Sequence, residues 1–188
     1  MDTAGRVLVT GAAGQIGSEL VPALRERYGP DSVVASDIRE DVPRALAGAG
    51  PWLRLDVLDR AGIEAALRKN GVRTVFHMAA ILSATGERNP LLCWDVNMNG
   101  TLNLLEACRA SGVERVIVPS SIAVFGPETP REGTPQETVL RPRTMYGITK
   151  VAGELISDYY SRSMDLDVRG LRYPGIVSAE TLPGGGTT

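Results

Sequence analysis

The stretch VLVTGAAGQIG, residues 7–17, restricts this chain more than any other. Gly11, Gly14 and Gly17 recur every third residue, between an apolar run and a segment whose Ile16, Leu20 and Leu24 share one helical face. Glycine permits a tight turn and a close backbone approach. A helix beginning there offers unpaired N–H groups and a partial positive charge. Together these form a cradle for a pyrophosphate, with Gln15 and Ile16 opening the helix inside it. Any tight strand–helix turn favours glycine, so it is the position after the first strand that points to a dinucleotide.

A dinucleotide site of this kind calls for an acid about twenty residues further on. Asp37 lies twenty residues after Gly17, followed by Ile38. At the end of a second strand its carboxylate would accept both hydroxyls of an adenosine ribose and repel a 2′-phosphate, which favours NAD over NADP. Arg39 is the opposing signal, and a surface aspartate starting a turn is the plainer reading. Asp56, followed by Val57, ends the third strand in a similar way; it either reaches the adenine or is a solvated turn residue.

The rest of the chain repeats the strand–helix pattern. Strands are predicted at 6–10, 32–37, 52–56, 74–80, 115–121 and 167–173, and helices at 14–28, 41–48, 59–70, 90–110 and 146–162. The strands are nearly continuous apolar runs, as in strands covered on both faces. Alternation of this kind implies an α/β fold with a doubly wound parallel sheet. Pro22, inside the first helix, predicts a kink. Residues 126–145 carry four prolines and no periodicity, and a loop that long is usually functional.

The net charge of −2, without a dense basic run, argues against nucleic acid as the main partner. Cys93 and Cys108 give neither a disulfide framework nor a metal spacing, and suit a reducing compartment. No apolar run is long enough to cross a bilayer and no signal-peptide pattern appears. The expectation is a cytoplasmic protein, or an organellar one already processed, with no membrane partner. His77, the only histidine, lies within a predicted strand and reads as packed or capping rather than as a base; no metal site is predicted.

TMYGITKVAGEL, residues 144–155, sets Tyr146 and Lys150 four residues apart. On a helix over 146–160, Val151, Ala152, Leu155, Ile156 and Tyr159 form one apolar stripe, with the pair on roughly the opposite side. Spacing alone would leave it an exposed pair with no role. The preceding strand, however, ends in PSSIAVFG, which puts Ser120 and Ser121 at the carboxyl edge of the sheet, where ligands bind in this architecture. A free phenol, with a pKa of about 10, is a poor base near neutrality. A neighbouring ammonium would stabilise the phenolate, and a serine would hydrogen-bond the substrate oxygen.

Together, TGAAGQIG, HMAA, SSIAVFG and YGITK resemble the extended short-chain dehydrogenase/reductase superfamily, which shares an NAD(P)-binding Rossmann domain and a Ser–Tyr–Lys set. ILSATGERNP, WDVNMNGTLNLLEA and RYPGIVSAETLPGGGTT look most like the short-chain type of L-threonine 3-dehydrogenase. The resemblance implies NAD-dependent oxidation of L-threonine to 2-amino-3-oxobutyrate. Tyr146 would take the hydroxyl proton, Lys150 would hold the nicotinamide ribose and tune Tyr146, and Ser121 would steady the ketone oxygen. Gly11, Gly14, Gln15, Ile16, Gly17, Asp37, Ile38, Asp56, Val57, Ala79, Ala80, Asn97 and Tyr173 would line the cofactor path together with Tyr146 and Lys150. Ser83 and Thr187, with Ser121 and Tyr146, would hold the amino acid.

The resemblance further implies an NAD-binding domain over 1–173 and the start of a substrate-binding region over 174–188, with most of that C-terminal portion absent. On that reading the chain binds NAD and oxidises threonine poorly or not at all. Family members pair the helices corresponding to 90–110 and 146–162 across a dimer, so a homodimer is expected. The rivals are a sugar-nucleotide epimerase of the same superfamily and a non-catalytic NAD-binding module. A dehydratase is disfavoured because Ile122 and Ala123 stand where an acidic pair is expected.

Overall fold

The computed structural model describes residues 5–176. Strand β1 (Arg6–Thr10) leads through the glycine turn into α1 (Gln15–Tyr28). There follow β2 (Val33–Asp37), β3 (Trp52–Arg54), α2 (Arg60–Asn70), β4 (Val72–His77), α3 (Ser83–Arg88), α4 (Pro90–Trp94) and α5 (Gly100–Ser111). The chain ends its described part with β5 (Arg115–Ile117), β6 (Ser120–Ser121), α6 (Met145–Ser163), β7 (Asp167–Arg169) and β8 (Arg172–Tyr173). The main sheet has six parallel strands in the order β3-β2-β1-β4-β5-β7. This is the doubly wound order expected from the alternation of elements, and it turns back between β1 and β4.

Strand parity sorts the core into two layers. Leu8, Val34 and Val75 face α2 and α5, where they meet Ile63, Leu67, Leu104 and Leu105. Val7, Val9, Val33 and Ala35 face the other way, against Val21 and Leu24 of α1 and against Leu46. Local chemistry fixes the helix ends. The Asp59 carboxylate accepts from Gly62 N–H at 3.0 Å to start α2, and Thr144 Oγ1 accepts from Gly147 N–H at 3.0 Å to start α6.

Several expected elements differ. Residues 41–48 form successive turns rather than a helix: Leu46, Ala47 and Ala49 each donate three residues back, and Gly48 and Gly50 take positive φ. The buried Leu46 is what this segment contributes to the core. α1 runs unbroken through Pro22. The predicted helix over 90–110 is α4 and α5 joined by a single π turn, Asp95–Asn99. α3 had no counterpart in the sequence pattern.

Both of the last two predicted strands break in the middle. Pro119 has no N–H for a ladder, and Gly170 leaves no room for a side chain, since a Cβ there would lie 2.7 Å from Val118 O. Beyond this shared break the chains pair again as a separate parallel ladder, β6 with β8. Residues 126–144 lack regular structure, but their neck is stitched: the Thr129 hydroxyl donates to Val139 O at 2.6 Å and accepts from Gly126 N–H at 3.1 Å. Among the described residues no helix is long and apolar enough to cross a membrane.

Candidate active site

The carboxyl ends of β1, β4 and β6 open onto a cleft of about 450 Å³. Its floor is the glycine turn. Gly11 has φ +64°, and a Cβ there would lie 2.5 Å from Ala79 N, so only glycine lets β1 turn this close to the β4 loop. Gly17 is equally constrained: a Cβ would lie 2.4 Å from Gly11 O. Gly14 precedes α1 and offers no side-chain cap, and no acid sits in the first turn. The first turn of α1 therefore opens at the cleft floor with no acidic side chain of its own, which suits a phosphate. Gln15 reaches across to Ile176, donating from Nε2 to its carbonyl at 3.4 Å.

Asp37 stands beside this turn at the end of β2. Its carboxylate accepts from Ala13 N–H at 3.0 Å and from Arg39 N–H at 3.2 Å, tying the turn to the strand. Ile38, next to it, is 59% exposed. Asp56 accepts from Leu58 N–H at 2.9 Å within a turn, and Val57 is buried under α5, with its carbonyl accepting from Asn103 Nδ2 at 3.3 Å.

The opposite wall comes from β6 and α6. Ser121, Tyr146 and Lys150 all line the cleft, with Ser83, Ala80 and Tyr173. The Ser121 hydroxyl stands beside the Tyr146 phenol, close enough to favour its anionic form. Lys150 Nζ donates to Pro119 O at 3.0 Å and lies 5.4 Å from the Tyr146 ring centroid. Burial pushes the phenol above its ordinary value, and the Ser121 hydroxyl opposes it. The leading influence is thus opposite in sign to the pull expected of the ammonium. Burial also brings Lys150 down to about 8.

α6 presents this pair to the packed side of the helix. Gly147, Thr149, Gly153 and Tyr160 are buried, whereas Leu155 and Tyr159 of the apolar stripe are 68% and 52% exposed. The helix thus turns its functional face inward and leaves part of the stripe uncovered.

Asn97, in the π turn, is buried, and its amide is fully used. Oδ1 accepts from Ile81 N–H at 2.8 Å, and Nδ2 donates to Ile81 O at 3.0 Å and Thr149 Oγ1 at 3.1 Å. It ties the β4 loop to α6 from behind the cleft. Ala79 packs on Gly11. His77 is packed, between Thr10 and Thr101. Thr187 lies outside the described residues. Not assigned to the cleft from sequence were Met78, Leu82, Pro119 and Ile122 on its wall, apolar residues that no sequence pattern separates from core. Among the described residues no group of three metal-ligating side chains converges.

Residues 7–186 match the NAD dependent epimerase/dehydratase family. The chain belongs to that family. It is 49% identical over 183 residues to an uncharacterized epimerase/dehydratase of Staphylococcus haemolyticus, covering 97% of this chain and 57% of that protein. Among solved structures it is similar to the L-threonine dehydrogenase of Clostridium difficile, with 45% identity and a TM-score of 0.93 over 97% of this chain and 57% of that one. It also resembles the UDP-glucose 4-epimerase of Thermus thermophilus solved with NAD, with 35% identity and a TM-score of 0.85 over 96% of this chain and 58% of that one. The chain therefore spans less than two thirds of the length of these relatives.

Proposed function

We propose that this chain provides the cofactor-binding and proton-transfer part of an NAD-dependent oxidoreductase acting on the β-hydroxyl of L-threonine. The observation that carries the reading is the Ser121–Tyr146–Lys150 arrangement on the wall facing the glycine turn. The likeness to a threonine dehydrogenase suggests the substrate. Residues of the turn fit a dinucleotide because Gly11 and Gly17 permit the tight backbone packing that forms the turn, and α1 begins uncapped at the cleft floor. Gly11, Gly14, Gln15 and Gly17 would hold the phosphates, and Asp37 the adenosine ribose. When bound, NAD supplies the hydride acceptor.

The chain's own residues handle the proton. Tyr146 as phenolate accepts it from the substrate hydroxyl, forming a new O–H bond at the phenol oxygen. The Ser121 hydroxyl donates to oxygen and holds substrate and phenol in one plane of approach. Lys150, charged below about 8, favours the anionic phenolate. Ser83, on the cleft wall, would meet the amino acid's polar groups.

The likeness to a UDP-glucose 4-epimerase favours a second reading, in which the same phenol serves a sugar hydroxyl. Incubating the protein with NAD and either L-threonine or UDP-glucose separates the two. NADH accumulation with threonine alone supports the first; epimer formation without net NADH supports the second. Tyr146→Phe is expected to lower the rate by roughly 10²–10⁴-fold while leaving NAD affinity within a few fold. A Tyr146→Phe protein with the parent's rate would refute both.

A further inference from the structure

One helical turn beyond Lys150, Glu154 makes a two-pronged ion pair with Arg172. Arg172 Nε and Nη2 each donate to a different oxygen of the carboxylate, at 2.8 Å. The Ser120 hydroxyl donates to the same carboxylate. The third guanidinium nitrogen, Nη1, donates to Gln136 O at 2.9 Å, and the guanidinium lies 5.5 Å from the Phe125 ring centroid. The two side chains are only 16% and 24% exposed, so solvent screens this pair far less than the surface pairs. A sequestered pair of this kind adds little net stability over an apolar pair, but removing one partner leaves a stranded charge. Its use is to fix a geometry.

The register shows which geometry. Ser120 faces Arg172 across the β6–β8 ladder, and the next rung is Ser121 with Tyr173. Both members of that next rung line the cleft. Successive strand residues point to opposite faces, so a clamp on one face sets where Ser121 and Tyr173 stand on the other. Glu154 applies the clamp from the same helix that carries Tyr146 and Lys150.

We propose that Glu154 and Arg172 are positioning residues, which index β6–β8 to α6 so that the Ser121 hydroxyl is held on the Tyr146 phenol. The proposal deepens the oxidoreductase reading and rests on it for its purpose, but its test needs no substrate. The groups facing the phenol are Ser121, Lys150 and Cys93. None of them is changed in the variants below.

The chain has five tyrosines. Labelled with 3-fluorotyrosine, whose more acidic phenol titrates while the protein is folded, they give separate fluorine NMR signals. Tyr146 is assigned by its loss in Tyr146→Phe. In Glu154→Gln, Arg172→Met and Ser120→Ala, the Tyr146 phenol is expected to titrate later, with roughly threefold to tenfold less phenolate at a given pH, the effect of one lost hydrogen bond. Tyr160, on the same helix but bonded to Glu106, is expected to stay in place. The Glu154→Gln/Arg172→Met double variant should be no worse than either single one.

An unmoved Tyr146 overturns the proposal. So does a joint shift of Tyr146 and Tyr160, which would mean general loosening of α6. Ser120→Ala removes only a hydroxyl, and decides the matter if the charge variants do not fold. The phenol shifts are read without threonine, so loss of NAD binding alongside them would strike the functional reading and leave the clamp standing.

Discussion

Both ring nitrogens of His77 are committed before any proton is added. The Thr101 hydroxyl donates to Asn97 O at 2.6 Å, so its oxygen accepts from His77 Nε2–H at 3.2 Å. Nδ1 then accepts from the Thr10 hydroxyl at 2.9 Å, and the Thr10 oxygen accepts from Ala79 N–H at 3.4 Å. This one-way chain leaves the neutral ring as the only form that satisfies every partner. Burial, and then the charge of Lys150, bring the imidazole down to about 3 from its ordinary 6.5. Between those values the unfolded chain binds the proton and the folded chain does not. The stability His77 supports is therefore complete above about 6.5 and declines as pH falls toward about 3. The slope from this residue is at most about 1.4 kcal/mol per pH unit. In urea unfolding, His77→Gln is expected to flatten the pH dependence in that window; an equal slope in the variant would show that other groups cause it.

At the scale of elements, two glycines in helices give opposite expectations. Gly17 sits at the start of α1, where a Cβ would meet backbone of the preceding turn at 2.4–2.6 Å. Backbone cannot yield as a side chain can, so Gly17→Ala is expected to cost about 1–3 kcal/mol and to weaken nucleotide binding. Gly153 lies inside α6 with nothing within 4 Å of a Cβ. Glycine there costs about 1 kcal/mol relative to alanine, so Gly153→Ala should stabilise by up to that amount. Chemical denaturation of both variants checks the signs; destabilisation at Gly153 would mean the space above it is needed. The contrast also marks what the sequence could disclose. The glycine turn, Asp37 and the Tyr146–Lys150 spacing are local patterns, and each falls where its element put it. The Glu154–Arg172–Ser120 clamp and the Asn97 bridge join residues far apart in sequence, and depend on strand register and on one π turn. No periodicity encodes those. The 41–48 segment misled because Leu46 and its alanines look helical, while Pro43 and two positive-φ glycines shape turns.

At the scale of the whole molecule, several of the exposed large apolar side chains of the described residues fall on two adjoining helices. Leu91 and Trp94 of α4 are 79% and 42% exposed, and Ile148, Leu155 and Tyr159 of α6 are 42%, 68% and 52% exposed. α4 and α6 are in contact with each other, so these side chains belong to adjoining elements rather than to scattered sites. Single exposed leucines are ordinary, but clusters of large apolar groups on adjacent helices usually mark an association surface. Two copies pairing through α6 would bury this surface without disturbing the cleft, because Tyr146 and Lys150 lie on the packed side of the helix. A homodimer is the expected state in solution. Burying one leucine contributes about 1.5–3 kcal/mol, so Leu155→Glu should raise the dimer dissociation constant by at least about tenfold. Light scattering over a concentration series measures it. Because Leu155 faces away from the cleft wall, NAD affinity per chain should be unchanged in the same variant. A parent protein that stays monomeric at high concentration would exclude the pairing, and a variant that loses both assembly and nucleotide affinity would show that the two surfaces are coupled.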